Sequence, residues 1–176
     1  FCKKINGTGG IIFGFTYPVY KFFLDLNKLG KYFEFAGVNV LHGGGWKKMV
    51  NLGISDYDLS SFLKNSFDIQ AVVNYYGLVE QLGSIFFRCT EELFHTSNFS
   101  DIFVFNSHGG LTKKNERGVL GIISTLPYSY PGHRILTEDL AEYVGKDDCR
   151  CGRKGKVFKV HGRISKALVR GCSDSD

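Results

Sequence analysis

The sequence predicts an α/β fold, with an open mixed sheet and flanking helices followed by a β-rich part. The chain of 176 residues is 43% hydrophobic and 22% charged, so it can bury a core and is not of the disordered class. Aromatic residues make up 15% of it and accompany 22 glycines, which favours packed strands joined by tight turns. Apolar runs typical of strands alternate with helical patterns only in the first half of the chain. The helices are therefore expected in that half.

The first half alternates strands and helices. Residues 11–15 form a short apolar run typical of a buried strand, and apolar residues then recur at helical spacing up to Gly30. Residues 38–41 predict a second strand, and Asp56 is expected to cap a second helix. A third buried strand is expected over residues 69–73. This order is typical of an open sheet with crossover helices.

The second half, after Gly83, is expected to be mostly β, because its apolar runs are separated by turns alone. These runs cover residues 85–87, 102–105, 119–126 and 157–160. We find no internal repeat and no low-complexity linker. One domain over residues 1–176 is therefore expected, with an α/β part over 1–83 and a β-rich part over 84–176.

Charge and hydropathy argue against nucleic-acid and membrane proteins. The net charge of +5 is too mild to indicate a nucleic-acid partner, although residues 150–170 contain basic and no acidic side chains. That segment predicts either a local anion site or a solvated strand face. No run approaches the ~18–20 apolar residues of a membrane helix. The chain opens on Phe1 without an initiator Met or a signal peptide, so a soluble piece of a longer protein is expected.

Three cysteines and a histidine predict a zinc site. Cys89 and His95 form one pair, and Cys149 and Cys151 form another, each beside turn-forming residues that let two ligands converge. Three thiols and one imidazole suit a closed tetrahedral zinc site. The alternative is ordinary core cysteines and an unrelated histidine. The odd count of five cysteines argues against a disulfide scaffold and favours the reducing cytoplasm.

Two segments that follow predicted strands are candidates for ligand binding. Residues 42–48, His-Gly-Gly-Gly-Trp-Lys-Lys, form a loop with unusual backbone freedom. Residues 75–81, Tyr-Tyr-Gly-Leu-Val-Glu-Gln, follow a buried strand at the end where open sheets place ligands. An aromatic ring there can stack on a base, and the carboxylate of Glu80 can hold a divalent cation. A solvent-facing turn is the alternative interpretation.

Acidic and basic side chains near the carboxyl end are further candidates. Asp139 follows Thr137 and Glu138, and its carboxylate could accept hydrogen bonds from a ribose diol. Capping of a helix over residues 140–144 is the alternative explanation of this triplet. Arg163 follows a glycine in the basic segment and could bind phosphate through its planar fork of donors.

In this order, the motifs resemble those of adenylate-forming ligases. The match is closer to the acyl-protein synthetases, or long-chain-fatty-acid–luciferin-component ligases, than to the phenylacetate–CoA ligases. The segments that carry it are residues 42–48, 76–84, 130–133, 137–139, 149–153, 162–163 and 170–173. The resemblance implies that the chain is the carboxyl-terminal portion of such an enzyme and part of its large domain.

The resemblance also implies roles for single residues. The resemblance places Gly43, Gly44, Gly45 and Trp46 along the adenine, with Tyr75 or Tyr76 as the aromatic residue beside it. Gly77 is a further cofactor-binding position, where a glycine lets the backbone approach the ligand. Glu80 resembles the acidic residue near the magnesium-bound phosphate, Asp139 the acceptor for the ribose hydroxyls, and Arg163 the hinge-side arginine. The zinc cluster of phenylacetate-type ligases falls on the same four cysteine and histidine positions. In acyl-protein synthetases a cysteine near the carboxyl end receives the acyl group, and Cys172 is the candidate, with an ordinary free thiol as its alternative.

The function so implied is activation of a fatty or other carboxylic acid by ATP and Mg²⁺, followed by acyl transfer to a protein thiol. An acyl-accepting protein, such as a reductase component, is the implied partner. The family's phosphate loop should lie upstream of this chain, so the chain alone is expected to be inactive. Two alternatives stay open: a fragment of an aryl- or acyl-CoA ligase, and a zinc-stabilised binding module without catalysis.

Overall fold

The computed structural model describes residues 9–30, 35–44, 49 and 51–164. Three of the predicted site residues, Gly45, Trp46 and Cys172, lie outside these ranges. The chain divides into two compact units, and the boundary falls between Tyr75 and Tyr76. The boundary thus precedes Gly83, where the sequence indicated a change of character.

The first unit is a parallel sheet with crossover helices. Its elements are β1 (Gly10–Phe15), α1 (Thr16–Lys28), β2 (Val38–Gly43), α2 (Asp56–Phe67) and β3 (Ala71–Tyr76). The strands β1, β2 and β3 are neighbours in that order and run parallel. Parallel neighbours need a long crossover, and α1 and α2 supply it.

Both helices bury their apolar stripe in one core with the central strand. That core contains Val19, Phe23, Val38, Val40, Leu59, Leu63 and Phe67. The ring of Phe23 lies 4.9 Å from that of Phe67, so α1 and α2 meet through aromatic contacts. The predicted cap of α2 is wrong by one residue: Ser55, not Asp56, is the N-cap. Its hydroxyl accepts the Asp58 backbone N–H at 3.2 Å.

The second unit is antiparallel. Its strands are β4 (Phe86–Phe87), β5 (Phe94–His95), β6 (Ser100–Phe105), β7 (Arg117–Ser124), β8 (Arg134–Lys146) and β9 (Lys156–Arg163), preceded by a 3-10 turn over Val79–Gln81. Five of the strands form one sheet in the order β5-β9-β8-β7-β6. Its core contains Phe86, Ile102, Val104, Leu120, Ile122, Ala141 and Phe158. Alternate residues of β6 and β7 point into this core, as expected of a sheet with one buried face.

The explanation of residues 137–144 as a capped helix is wrong, because they lie within the 13-residue strand β8. The Thr137 hydroxyl donates to the Leu120 carbonyl of β7 at 2.8 Å and accepts the Asp139 N–H at 3.0 Å. A threonine before acidic residues is typical of a helix start, but pairing with strands on both sides determines the structure here.

The predicted fold class is confirmed: an α/β part with flanking helices precedes a β-rich part. None of the helices in the described ranges has the length and apolar character that crossing a bilayer requires.

Candidate functional site

Four potential metal ligands meet in the second unit. The ligand atoms of Cys89, His95, Cys149 and Cys151 all lie within 4.8 Å of one another. The Sγ atoms of Cys89 and Cys149 are 3.9 Å apart, and Cys151 Sγ is 3.4 Å from His95 Nε2. The pair Cys89 and His95 and the pair Cys149 and Cys151, more than 50 residues apart along the chain, therefore lie together in the fold.

Two tight turns and one strand pair hold these ligands. The Cys89 N–H donates to the Leu93 carbonyl at 2.9 Å, which closes the turn between the first two ligands. His95 lies in β5 and pairs with Val157 of β9. The loop that precedes β9 is closed by Gly155, whose N–H donates to Asp147 Oδ1 at 2.8 Å. Since β5 and this loop both adjoin β9, the two ligand pairs converge.

The donor atoms of the cluster suit a divalent cation, although two of their pKa values shift in opposite directions. Burial, together with the charge of Arg153, lowers the pKa of His95, which keeps the imidazole in the neutral form that binds metal. Desolvation, together with neighbouring thiols, raises the pKa of Cys149 to about 11. Desolvation raises the pKa of Cys151, but hydrogen bonds from the Arg153 backbone, Cys149 and Cys89, together with the charge of Arg153, outweigh it and lower this pKa. Three thiols and one neutral imidazole are the donor set that Zn²⁺ prefers, so the residues present fit zinc.

A second cluster joins Tyr76, Asp139 and Arg163. The Tyr76 hydroxyl donates to Asp139 Oδ2 at 2.6 Å. Asp139 of β8 pairs in register with Arg163 of β9, whose Nε is 4.0 Å from Asp139 Oδ1. The Asp139 side chain stays 16% exposed, so it can still accept hydrogen bonds from outside the protein.

The environment of Tyr76 explains why its hydroxyl is a donor. Its ring packs against those of Phe86, Phe94 and Phe158, with centroids 6.1–6.2 Å away. Burial, and then the charge of Asp139, raise the pKa of Tyr76 well above its ordinary value. The phenol therefore keeps its proton and fixes the orientation of the carboxylate.

Hydrogen bonds with residues 130–132 fix the turn that carries Glu80. Its residue Gln81 is fully buried and donates from Nε2 to the Gly132 carbonyl at 2.7 Å. The Tyr130 hydroxyl donates to the Glu80 carbonyl oxygen at 2.7 Å. Residues 130–133 and 76–84, two of the segments that carry the family resemblance, thus lie against each other. The Glu80 side chain itself is exposed.

In the first unit, Gly43 is the last residue of β2, and Gly44 is the first residue of the loop that follows it. A Cβ on Gly43 would lie 2.3 Å from the Tyr75 carbonyl oxygen, and Gly44 has a φ of +64°. The Tyr75 ring stacks on that of Phe13, with centroids 5.0 Å apart. Glycine at position 43 is therefore required by packing against Tyr75, whatever ligand the loop binds.

A buried histidine, His42, lies beside this loop and was not among the predicted site residues. His42 is fully buried, with Nδ1 3.1 Å from Thr16 Oγ1 and Nε2 3.4 Å from Asp56 Oδ1. Asp56 also accepts a hydrogen bond from Asn74 at 3.2 Å. The signal available was the position of His42 and Asn74 near the ends of neighbouring parallel strands, where polar side chains collect.

Three solved structures have a fold similar to that of this chain. A 2-hydroxyisobutyryl-CoA ligase, solved with 2-HIB-AMP and CoA, gives a TM-score of 0.64 at 15% identity over 91% of this chain and 37% of that one. A luciferase-like enzyme from Zophobas morio gives a TM-score of 0.59 at 20% identity, over 88% of this chain and 38% of that one. An artificial adenylation–PCP fusion from Klebsiella oxytoca gives a TM-score of 0.54 at 16% identity, over 93% of this chain and 30% of that one. The fold is therefore that of adenylate-forming enzymes, and the chain spans 30–38% of the length of these three proteins.

The family follows from the sequence itself. The profile of the family described as acyl-protein synthetase, LuxE, matches residues 3–176. The chain belongs to this family, which confirms the resemblance found in its motifs. No curated protein sequence matches it.

Proposed function

We propose that the protein containing this chain activates a fatty acid, or another carboxylic acid, with ATP and then passes the acyl group to a protein thiol. The observation that carries the proposal is the family match over residues 3–176. The adenylate-forming fold supports the first step of this reaction. The reductase-type acyl acceptor and the cytoplasmic location belong to the same proposal.

In the first step, an oxygen of the acid attacks the α-phosphorus of ATP, and pyrophosphate leaves with the electron pair of the broken P–O bond. Mg²⁺ supplies charge compensation for the phosphates in this chemistry. The Arg163 guanidinium adds a positive charge, and the Glu80 carboxylate is our candidate ligand for the metal. Asp139 accepts the ribose hydroxyls, with Tyr76 holding its other oxygen.

The remaining roles come from the family resemblance. Gly43, Gly44, Gly45 and Trp46 are proposed to lie along the adenine, with Tyr75 or Tyr76 as the aromatic residue beside it. Gly77 is proposed as a further nucleotide-binding position. In the second step, the Cys172 thiolate attacks the acyl carbonyl and AMP leaves. Zinc on the four-residue cluster would be structural, because a site with four protein ligands keeps no open position for substrate.

A test of the proposal is acid-dependent release of pyrophosphate by the complete protein that contains this chain. We expect release with ATP, Mg²⁺ and a fatty acid, and none when the acid is omitted. The chain alone is expected to release none, because it spans only 37–38% of the length of two enzymes that share its fold. Absence of acid-dependent release from the complete protein would contradict the proposal.

A CoA ligase is the second candidate, favoured by a solved relative named as a 2-hydroxyisobutyryl-CoA ligase. Replacement of Cys172 by Ser separates the two. An acyl-protein synthetase should lose retention of labelled acyl groups on the polypeptide and keep pyrophosphate release. A CoA ligase should be unaffected by the replacement and should release acyl-CoA.

A further inference from the structure

We propose that Tyr130 is a positioning residue: its hydroxyl fixes the turn that bears Glu80 and so determines where the Glu80 carboxylate stands for magnesium binding. The inference rests on the proposed function, in which Glu80 is the metal-binding carboxylate. It assigns a role to a residue that lies 50 positions away along the chain.

The hydroxyl bridges the backbone on both sides of Gln81. It donates to the Glu80 carbonyl at 2.7 Å and accepts the Leu82 N–H at 3.3 Å. The turn over Val79–Gln81 has only three residues, with the Gln81 N–H donating to the Leu78 carbonyl at 3.2 Å. Such a short turn has poor internal hydrogen bonding, so contacts from outside largely determine its conformation.

A second contact between the same two segments adds to this bridge. Gln81 is fully buried and donates from Nε2 to the Gly132 carbonyl at 2.7 Å. Residues 130–132 therefore hold the turn through two hydrogen-bonded positions, Tyr130 and Gly132. A Cβ on Gly132 would lie 2.1 Å from Cε2 of Tyr130. Glycine at this position therefore lets the Tyr130 ring fold over its own backbone, in the orientation that brings its hydroxyl to the turn.

The contact acts on the backbone of Glu80 and leaves its side chain exposed. Removal of the hydroxyl would release the Glu80 carbonyl and the Leu82 N–H while keeping the ring. Because the Tyr130 ring is 37% exposed, Tyr130→Phe creates no buried cavity and should fold normally. The expected result is a turn with more conformations and a carboxylate that is less often in place for the metal.

The test compares Tyr130→Phe with Tyr128→Phe, a matched control two residues away whose side chain is 95% exposed. Amide hydrogen exchange is measured on this chain without nucleotide. We expect exchange at Leu82 to rise by about fivefold to tenfold in Tyr130→Phe, the range expected for loss of one hydrogen bond, and to stay unchanged in Tyr128→Phe. Unchanged exchange at Leu82 in Tyr130→Phe would overturn the bridge.

The positioning role is tested in the complete protein through the Mg²⁺ dependence of pyrophosphate release. Tyr130→Phe should raise the half-saturating Mg²⁺ concentration about threefold to tenfold, with KM for the acid unchanged and the melting temperature close to wild type. Faster exchange with an unchanged Mg²⁺ dependence would overturn the positioning role. No acid-dependent release from the wild-type protein would overturn the proposed function, and the magnesium role with it, while the exchange result still decides the bridge.

Discussion

Tyr76 and Asp139 stand 63 positions apart, and a hydrogen bond of 2.6 Å joins them. The sequence indicated both residues separately, as an aromatic neighbour of a base and as an acceptor for ribose hydroxyls. It could not pair them, because the contact depends on strand β8 lying beside β9 and on a ring buried among phenylalanines. The pair leaves one carboxylate oxygen toward Arg163 and holds the other in place.

Asp139→Asn tests the role of this carboxylate. The amide keeps the shape and an oxygen that Tyr76 can reach, but it loses the charge that strengthens hydrogen bonds to the ribose. We expect KM for ATP to rise roughly tenfold to a hundredfold, since hydrogen bonds to charged groups contribute about 1.5–3 kcal/mol. KM for the acid should change little.

Glu138→Gln is the control for this substitution. Glu138 neighbours Asp139 in β8, its side chain is 57% exposed and its ion pair with Arg163 is long at 3.9 Å, so its replacement should change KM for ATP by less than about twofold. Equal changes in both variants would show that Asp139 acts only through the general charge of the strand.

Gly43→Ala tests whether packing alone requires glycine at the end of β2. A Cβ there would lie 2.3 Å from the Tyr75 carbonyl, so β3 or the loop must shift. We expect a loss of about 1–3 kcal/mol in the free energy of unfolding, as for other overpacked sites. Urea denaturation measures it, with Gly10→Ala as the control, because a Cβ on Gly10 meets nothing within 4 Å. Equal stability of the two variants would contradict the packing argument.

At the scale of elements, sequence patterns predicted most of the strands and both helices but misjudged their ends and one strand. The apolar runs at residues 102–105 and 157–160 fall within β6 and β9. Strand β8 was missed as a strand because a threonine followed by acidic residues is also typical of a helix start. Only pairing with β7 and β9 decides between the two, and that pairing is not visible in a local pattern.

The start of helix α2 gives a prediction on pH. The Ser55 side chain and backbone bind the Asp58 carboxylate and lower its pKa. A lowered pKa in the folded state means that this contribution is complete above the pKa of unfolded Asp and is lost as the pH falls through the folded pKa. Ser55→Ala should lower stability by about 0.5–2 kcal/mol at neutral pH, and the difference from wild type should shrink in acid.

Thermal unfolding from neutral to acidic pH checks this prediction. Ser60→Ala, within the same helix, is the control and should be neutral or slightly stabilising, since alanine is the better helix former. A Ser55→Ala deficit of the same size at every pH would show that the carboxylate contributes nothing.

The metal cluster gives the second prediction at this scale. Strand β5 has only two residues and pairs with β9, so a bound ion would fix it to the loop before that strand. We expect about one zinc per chain, lost in Cys151→Ser, with a melting temperature lower by about 5–10 °C, which corresponds to a few kcal/mol in a chain of this size.

Metal content by elemental analysis, followed by thermal unfolding, checks the zinc prediction. Cys172→Ser is the control and should keep its zinc, because the four clustered ligands already complete a tetrahedral site. Wild-type zinc content in Cys151→Ser would contradict the assignment of this thiol as a ligand.

At the scale of the whole molecule, the chain joins a parallel α/β unit to an antiparallel unit that carries the cluster of four potential metal ligands and the Tyr76–Asp139–Arg163 cluster. Membership of the acyl-protein synthetase family supports the proposal that the protein containing this chain activates an acid. The sequence motifs indicated the family because they combine specific residue types in a fixed order. They include Tyr130 and Gln81 but could not show what these residues do, because their partners are backbone atoms far along the chain.

The central claim is that the acid becomes an acyl-adenylate, and the transfer of an oxygen isotope tests it most directly. The complete protein is given a fatty acid labelled with ¹⁸O in its carboxylate, together with ATP and Mg²⁺, and the products are analysed by mass spectrometry. Our account predicts one ¹⁸O in the AMP that leaves after acyl transfer, because a carboxylate oxygen bonds to the α-phosphorus. Unlabelled AMP, or ADP with the label in inorganic phosphate, would contradict it.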